Sequence, residues 1–288
     1  VCRFIQASLL ALSLLVHGAT GYAQGLLTLG TGSVVGPPAS IPVAVDAIGT
    51  AVGVSGIGTS VTFNNITVGT GPNRALVVPL SFSSNASGTP VNGISCVWDS
   101  GGTNQSMTQV ANATATNIIS GSEFFLSAIF GLVAPTSGNK TLTCSWTNPA
   151  IVYVDAISFN NVLQTGGAIT FRKGTTDTGS SLGFSFSVPS SSGDFVVAAS
   201  SHALDNVITS PTTLYVGDTG AFGNAAAVFT PGAPSVGVSF SGTSTSLGSG
   251  WAASGVDVAS VSNPLPNLIG ADGDLLKGAD GDFLLGAM

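Results

Sequence analysis

The chain has 288 residues, 7% of them charged, with 6 basic and 13 acidic side chains and a formal net charge of −7. That balance excludes nucleic acid and anionic membrane surfaces as partners, because both are held by Lys/Arg clusters that this sequence lacks. A mean hydropathy of +0.50 excludes intrinsic disorder, which combines low hydrophobicity with high net charge, and the length suffices for a sizeable core.

Residues 1–23 read as a secretory signal peptide. Arg3 gives a basic start, residues 7–16 are apolar except for Ser8 and Ser13, and Gly21 and Ala23 supply the small residues of a cleavage site. The apolar run is too short to span a bilayer, and no later segment has the roughly 20 unbroken apolar residues of a membrane helix. Val1 stands where Met is expected, which points to an alternative start codon or a shortened gene model. The expected location is therefore outside the cell, reached through the Sec route.

Export changes the meaning of the cysteines. Cys2 leaves with the signal peptide, and Cys96 and Cys144 remain. Both sit in one local pattern, Ile94-Ser-Cys96-Val-Trp98 and Leu142-Thr-Cys144-Ser-Trp146, in which the Cys shares a strand face with an aliphatic residue and a Trp. The compartment and the matched faces predict a Cys96–Cys144 disulfide. The alternative is a pair of buried free thiols acting as small hydrophobes. Two Cys with no neighbouring His do not make a zinc set.

In chain order, residues 24–40 are a Gly-rich linker or arm closed by Gly36-Pro-Pro-Ala-Ser40. Strands are predicted over 41–48 and 60–68, the second with a phase shift between Phe63 and Ile66 that suggests a bulge. A turn at Gly71-Pro-Asn73 leads to a strand over 74–82, where Pro79 predicts an edge position or a local irregularity. Residues 93–99 form the next strand, followed by a polar stretch over 107–116. The central block follows. Residues 124–133 are apolar on both faces and so predict a strand covered on both sides. Pro135-Thr-Ser-Gly-Asn139 turns the chain, residues 141–146 alternate cleanly, and 151–159 begin another strand. Beyond it come 168–171, 184–188, 194–200, a weak region over 203–220, then 225–229, 236–240 and 251–261. No sustained helical period with caps occurs. Many short strands with regular Gly/Ser/Pro turns define an all-β, antiparallel β-sandwich, jelly-roll-like, as a single domain over 41–262 with a flexible N-terminal arm. An outer-membrane barrel would need longer strands with aromatic girdles.

The order Asn73-Arg74-Ala-Leu-Val-Val78, Val97-Trp98-Asp-Ser-Gly-Gly102 with Met107-Thr-Gln-Val110, Ser122-Glu-Phe-Phe-Leu126, Asp155-Ala-Ile-Ser-Phe159-Asn-Asn-Val162 and Ser192-Gly-Asp-Phe-Val-Val197 resembles a recurrent sandwich module of bacterial secreted and phage-tail-like proteins. The similarity covers roughly residues 41–262. It implies the fold and a non-catalytic extracellular module, and it includes neither the Cys pair nor the tail.

The tail, 263–288, opens with Asn263-Pro-Leu-Pro266 and repeats a unit of eight, Leu268-Ile-Gly-Ala-Asp-Gly-Asp-Leu275 and Leu276-Lys-Gly-Ala-Asp-Gly-Asp-Phe283. Asp272, Asp274, Asp280 and Asp282 are candidate calcium ligands, although the far-end ligand of an EF-hand loop is missing. A turn–strand tail that packs through its Leu pairs explains the same pattern, and the repeats are too few to stack alone. No other cofactor is expected. His202 with Asp205 lacks a nucleophile elbow, Glu123 is the only glutamate, and no carboxylate pair stands out by spacing. Asp155, which shares its face with Tyr153, Ile157 and Phe159, reads as a buried structural carboxylate. The chain is therefore expected not to be an enzyme. The first functional reading is an extracellular glycan- or cell-surface-binding module, with Trp251, Tyr153 and Tyr215 stacking on sugars if exposed. The second is a self-associating structural subunit of a surface, fibre or tail-like assembly. A glycan-active enzyme comes last, for want of convergent carboxylates.

Overall fold

The computed structural model describes residues 28–29, 33–34, 40–64, 66–83, 89–116, 124–218, 224–244 and 250–262. The chain divides into two units, one of residues 1–39 and 264–288, the other of residues 40–263. In the first, β1 (Thr28–Leu29) pairs antiparallel with β2 (Ser33–Val34). The predicted linker thus contains a ladder, while the predicted signal peptide, the tail and its four Asp lie outside the described residues.

The second unit is all-β and antiparallel. Its first part runs through β3 (Ser40–Ile41), β4 (Ala44–Ile48), β5 (Val52–Phe63), β6 (Thr67–Val68), β7 (Ala75–Ser83), β8 (Asn92–Trp98), β9 (Gln105–Ser106), β10 (Thr108–Thr116), β11 (Phe124–Val133), β12 (Gly138–Asn139), β13 (Leu142–Val154) and β14 (Ile157–Asn160). After a single helical turn, α1 (Gly167–Thr170), the second part follows. It comprises β15 (Phe171–Ser180), β16 (Gly183–Pro189), β17 (Phe195–His202), β18 (Leu204–Ser210), β19 (Thr212–Asp218), β20 (Asn224–Pro231), β21 (Ser235–Ser244), β22 (Gly250–Val258) and β23 (Val261–Ser262).

The two parts repeat one topology, which the sequence reading did not detect. In the first, the principal strands run β4-β14-β7-β11-β10 and β5-β13-β8, and Ile151 to Val154 of β13 also pair with β7, which joins the two rows into one nine-stranded sheet. In the second they run β15-β22-β17-β20-β19 and β16-β21-β18. In strand sequence these orders are the same, close to a jelly roll with its fifth strand moved beside the sixth. Details repeat as well. The residue two before β7, Asn73, and the residue two before β17, Gly193, both have positive φ (50° and 93°). The ladders β10–β11 and β19–β20 each carry a register shift at the matching place, between Gln109 and Ala111 and between Thr213 and Tyr215. In place of one sandwich, the domain is two copies of a sandwich-like unit in tandem.

Each copy has its own core. Leu76, Val78, Leu80 and Phe82 of β7 face Phe124, Leu126, Leu142, Cys144, Trp146 and Val152 in the first. Phe184, Phe186, Val196, Val238, Phe240 and Trp251 fill the second. A third core joins the copies: Ala75, Val77, Ile129, Ile157 and Phe159 pack against Phe171, Phe195, Val197, Val256 and Val258. That is why β7, β17 and β22 are buried along their whole length, on both faces. In this junction β10 lies against β15 and β22, β11 against β22 and β17, and β7 against β17 and β20. One sheet therefore runs in the reverse strand order over the other, about an approximate two-fold axis between β7 and β17. This is the isologous geometry of a homodimer, formed inside one chain. Gly131 is part of it: a Cβ there would stand 2.6 Å from the Phe171 ring.

Several expectations change. Strand β11 is central, as predicted, between β10 and β7. Strand β7 is central too, not an edge, and Pro79 marks an irregularity instead. Asp155 N–H donates to Pro79 O at 3.4 Å, and proline cannot return the second bond of that antiparallel pair. The neighbouring strand breaks there, at Asp155-Ala156, between β13 and β14. The phase shift after Phe63 is the end of β5, with Phe63, Ile66 and Val68 all buried. The weak region over 203–220 holds two strands, β18 and β19. Residues 167–170 form a helical turn, and β15, which follows, went unpredicted because Arg172-Lys-Gly-Thr-Thr-Asp-Thr-Gly179 offers no apolar alternation.

Candidate functional site

Many of the buried polar side chains among the described residues lie at the junction of the two copies and at one knot beside it. In one part of the junction the facing residues are small, Ser127 and Ser81 on one side and Ala199, Ser201 and Ser254 on the other. Ser127 Oγ donates to Ala199 O at 2.9 Å and shares a hydrogen bond with Ser254 Oγ at 2.6 Å; Ser201 Oγ donates to Phe82 O at 2.5 Å. With only Ala and Ser side chains between the sheets here, a hydroxyl of one sheet reaches the backbone of the next. At the end of this seam Tyr215 OH bonds Ser81 Oγ at 2.9 Å, and the Tyr153 and Tyr215 rings stack with centroids 6.4 Å apart. Gly53 and Gly217 leave room for the Tyr153 ring, since a Cβ on either would stand 2.5 or 2.1 Å from its atoms.

Asp155 lies in this region at 1% exposure. Its Oδ1 accepts the Ala156 N–H at 2.7 Å, and no described cation pairs with it. Burial pushes its carboxyl up to about 6, offset in part by that hydrogen bond. The same burial pushes the Tyr215 phenol up, with the nearby Asp155 adding to the shift. The sequence reading of Asp155 as structural fits this placement: it closes the strand break opposite Pro79. A carboxyl raised in the folded state favours folding while protonated, and the benefit is lost as pH rises through its folded value. Unfolding free energy should therefore decline between about pH 4 and pH 6. Asp155→Asn keeps the acceptor for Ala156 and removes the charge. It should stabilise the domain above about pH 7 by on the order of 2 kcal/mol and have little effect near pH 4. Urea unfolding at both pH values checks this, and equal effects at the two would refute it.

The knot beside the junction comprises Arg172, Asp194, Asp257 and Ser190. Arg172 Nε donates to Asp257 Oδ2 at 3.0 Å and its Nη2 contacts Asp257 and Asp194. Ser190 Oγ donates to Asp257 Oδ1 at 2.6 Å, and Ser260 N–H to Asp194 Oδ1 at 2.7 Å. Burial raises the Asp257 carboxyl; the Ser190 bond and the guanidinium oppose the shift and Asp194 adds to it. The first copy has a smaller counterpart on β4, where Asp46 accepts Ser158 Oγ at 2.8 Å and Gly69 N–H at 2.7 Å. In both copies a charged residue of the first strand ties the last strand to the chain entering the third. That recurrence marks the knot as part of the fold's construction.

The sequence-derived candidates fall elsewhere than expected. Trp251 is 5% exposed and stacks on Phe184 with centroids 3.9 Å apart; Tyr215 is 4% exposed. The condition of exposure fails for both, because each fills a layer between sheets. Tyr153 is half-buried. Cys96 and Cys144 are opposite each other on β8 and β13 and form a disulfide across neighbouring strands. His202, read as a loop residue, ends β17 and is fully buried. Asp272, Asp274, Asp280 and Asp282 lie outside the described residues, among which no cluster of three metal-ligating side chains occurs. No helix among them is long and apolar enough to cross a membrane.

Neither a protein-family model, nor a curated protein, nor a solved structure matches the chain. Fold and site define a class only, an all-β, disulfide-bonded domain of the general kind that serves as a structural or binding module.

Proposed function

We propose that the chain is a secreted, non-catalytic building block of an extracellular surface, fibre or tail-like assembly, and that sugar stacking is not its mode of action. One observation carries the choice: the aromatic side chains point inward. Trp98, Trp146, Trp251 and Tyr215 are each at most 5% exposed, and among the described aromatic residues only Tyr153 and Phe229 are as much as half-buried rather than buried. A glycan module needs rings in the open. On the exterior, hydroxyls pair across neighbouring strands. On β5, β13 and β8, Thr62 Oγ1 bonds Thr143 Oγ1 at 3.1 Å and Ser95 Oγ bonds Ser145 Oγ at 3.0 Å. Only 7% of the residues are charged, so few charged side chains have to lose water where copies meet. Asp194 and Asp257 are engaged in holding the fold through Arg172, Ser190 and Ser260, which supports the non-catalytic part of the reading.

The test uses residues 24–288. Light scattering over a wide concentration range should show reversible association. A panel of immobilised polysaccharides, with and without calcium, should show no saturable binding. Saturable binding to one polysaccharide by a strictly monomeric chain would restore the glycan-binding reading, and calcium dependence would direct attention to Asp272, Asp274, Asp280 and Asp282.

A further inference from the structure

The sequence holds three tyrosines. Tyr22 falls in the predicted signal peptide, so the mature chain keeps two, Tyr153 on β13 and Tyr215 on β19. They belong to different copies of the sandwich-like unit, and they meet. Their rings stack at 26° with centroids 6.4 Å apart. The register accounts for the meeting. Tyr153 lies between Gly53 of β5 and Ser81 of β7 in one cross-strand row, and the Tyr215 hydroxyl bonds that same Ser81. Gly217 follows Tyr215 by two residues and so shares its face of β19. A Cβ on Gly217 would stand 2.1 Å from Tyr153 Cε1, and one on Gly53 would stand 2.6 Å from the same atom. Both glycines therefore leave the Cε1 edge of this ring uncovered, beside the second ring. Tyr153 is half-buried and Tyr215 is 4% exposed, so an oxidant in solution reaches the pair through Tyr153.

We infer that Tyr153 and Tyr215 form a site of oxidative cross-linking, at which the two rings couple into a dityrosine that ties the first copy to the second. Each phenol gives up one electron and its hydroxyl proton and becomes a phenoxyl radical. The two radicals pair, and one bond forms between a Cε carbon of each ring. The hydrogen on each bonded Cε then moves to the phenol oxygen, which restores both aromatic rings. In all, two electrons and two protons leave. A one-electron oxidant acting twice accepts them: hydrogen peroxide through a haem peroxidase, which becomes two waters, or a ruthenium(III) complex, which becomes ruthenium(II). The chain supplies placement. Ser81 holds the buried ring by its hydroxyl, and the half-buried ring has solvent on one side and freedom to close the remaining distance. The product constrains the unfolded chain as a disulfide does. The inference does not rest on the building-block reading.

The test oxidises residues 24–288, at low concentration, with a photogenerated ruthenium(III) tris-bipyridine complex. The monomer should lose the mass of two hydrogen atoms and gain the blue fluorescence of a linked biphenol. After denaturation, reduction and trypsin, residues 141–172 should appear joined to residues 174–277, because Lys140, Arg172, Lys173 and Lys277 bound the two tyrosine peptides. Oxidation in concentrated urea should lower the yield at least ~10-fold, since the fold supplies the effective concentration. Tyr153→Phe keeps the ring at a half-buried position and should abolish the link, with folding checked by circular dichroism. Tyr215→Phe should abolish it as well, and either variant suffices if the other does not fold. Oxygen addition at tryptophan or methionine with both tyrosines uncoupled would overturn the inference. So would coupling of Tyr153 only to another molecule, or equal yields from folded and unfolded chain.

Discussion

Replacing Arg172 by Met should cost the domain roughly 2–4 kcal/mol at neutral pH, less than the roughly 3–5 kcal/mol of a fully buried ion pair, because the Arg172 side chain keeps 34% of its surface in solvent. Asp194 and Asp257 are 3% and 1% exposed and share this one guanidinium. Without it two carboxylates remain in a low-dielectric site, held only by Ser190 Oγ and Ser260 N–H. The loss should depend on pH, and its sign follows from Asp257. Its carboxyl is already raised in the folded state by burial and by Asp194, so its protonated form favours folding and its ionised form opposes it. Removing the guanidinium takes away an influence that lowers that value. Arg172→Met should therefore be most damaging above neutrality and recover as acid protonates Asp257. Urea unfolding at about pH 4.5 and about pH 7.5 measures this. Arg172→Lys keeps the charge but not the planar fork, and should fall between parent and Met. Equal losses at the two pH values would mean that the side chain contributes by packing alone.

This knot was invisible to sequence reading for a physical reason. Its three charges lie on the first strand of the second copy, at the entrance to the third, and on the last, and nothing local links Arg172, Asp194 and Asp257. A signal was nevertheless present. In a chain with 7% charged residues, Asp257 interrupts an apolar run, Trp251-Ala-Ala-Ser-Gly-Val-Asp-Val-Ala259, and a charge inside a strand buried on both faces demands a partner. Asp155 drew notice by the same logic, and its placement opposite Pro79 explains both residues together. The strands with clean alternation, such as Phe184 to Val188, or with apolar residues on both faces, such as Phe124 to Phe130, were legible because burial imposes the pattern. The edge strand β15 was not, since an exposed strand needs no alternation. The duplication was hidden most deeply. It survives in strand order, register shifts and backbone conformation, while the matching side chains differ as widely as Asn73 and Gly193.

The Cys96–Cys144 disulfide is the clearest difference between the copies, because the second contains no cysteine. It bridges strands β8 and β13 at the centre of the first core, with Cys96 and Cys144 at 1% and 0% exposure. It sits between Trp98, whose indole N–H donates to Thr136 O, and Trp146, whose indole N–H donates to Gly58 O. The bond closes 48 residues of chain, a constraint on the unfolded state worth about 4 kcal/mol by the loop-entropy estimate. Removing it with Cys96→Ala and Cys144→Ala together should lower the melting temperature by roughly 8–16 °C for a domain of this size. Reductant should produce the same shift in the parent and none in the double variant. The shared core of Ile129, Phe159, Phe195 and Val258 couples the copies, so melting should remain a single transition even though only the first copy has lost a crosslink. Two separate transitions in the double variant would show that the junction does not bind the copies into one cooperative unit. An unchanged melting temperature, with free thiols detected in the reduced parent, would remove the disulfide from the account of stability.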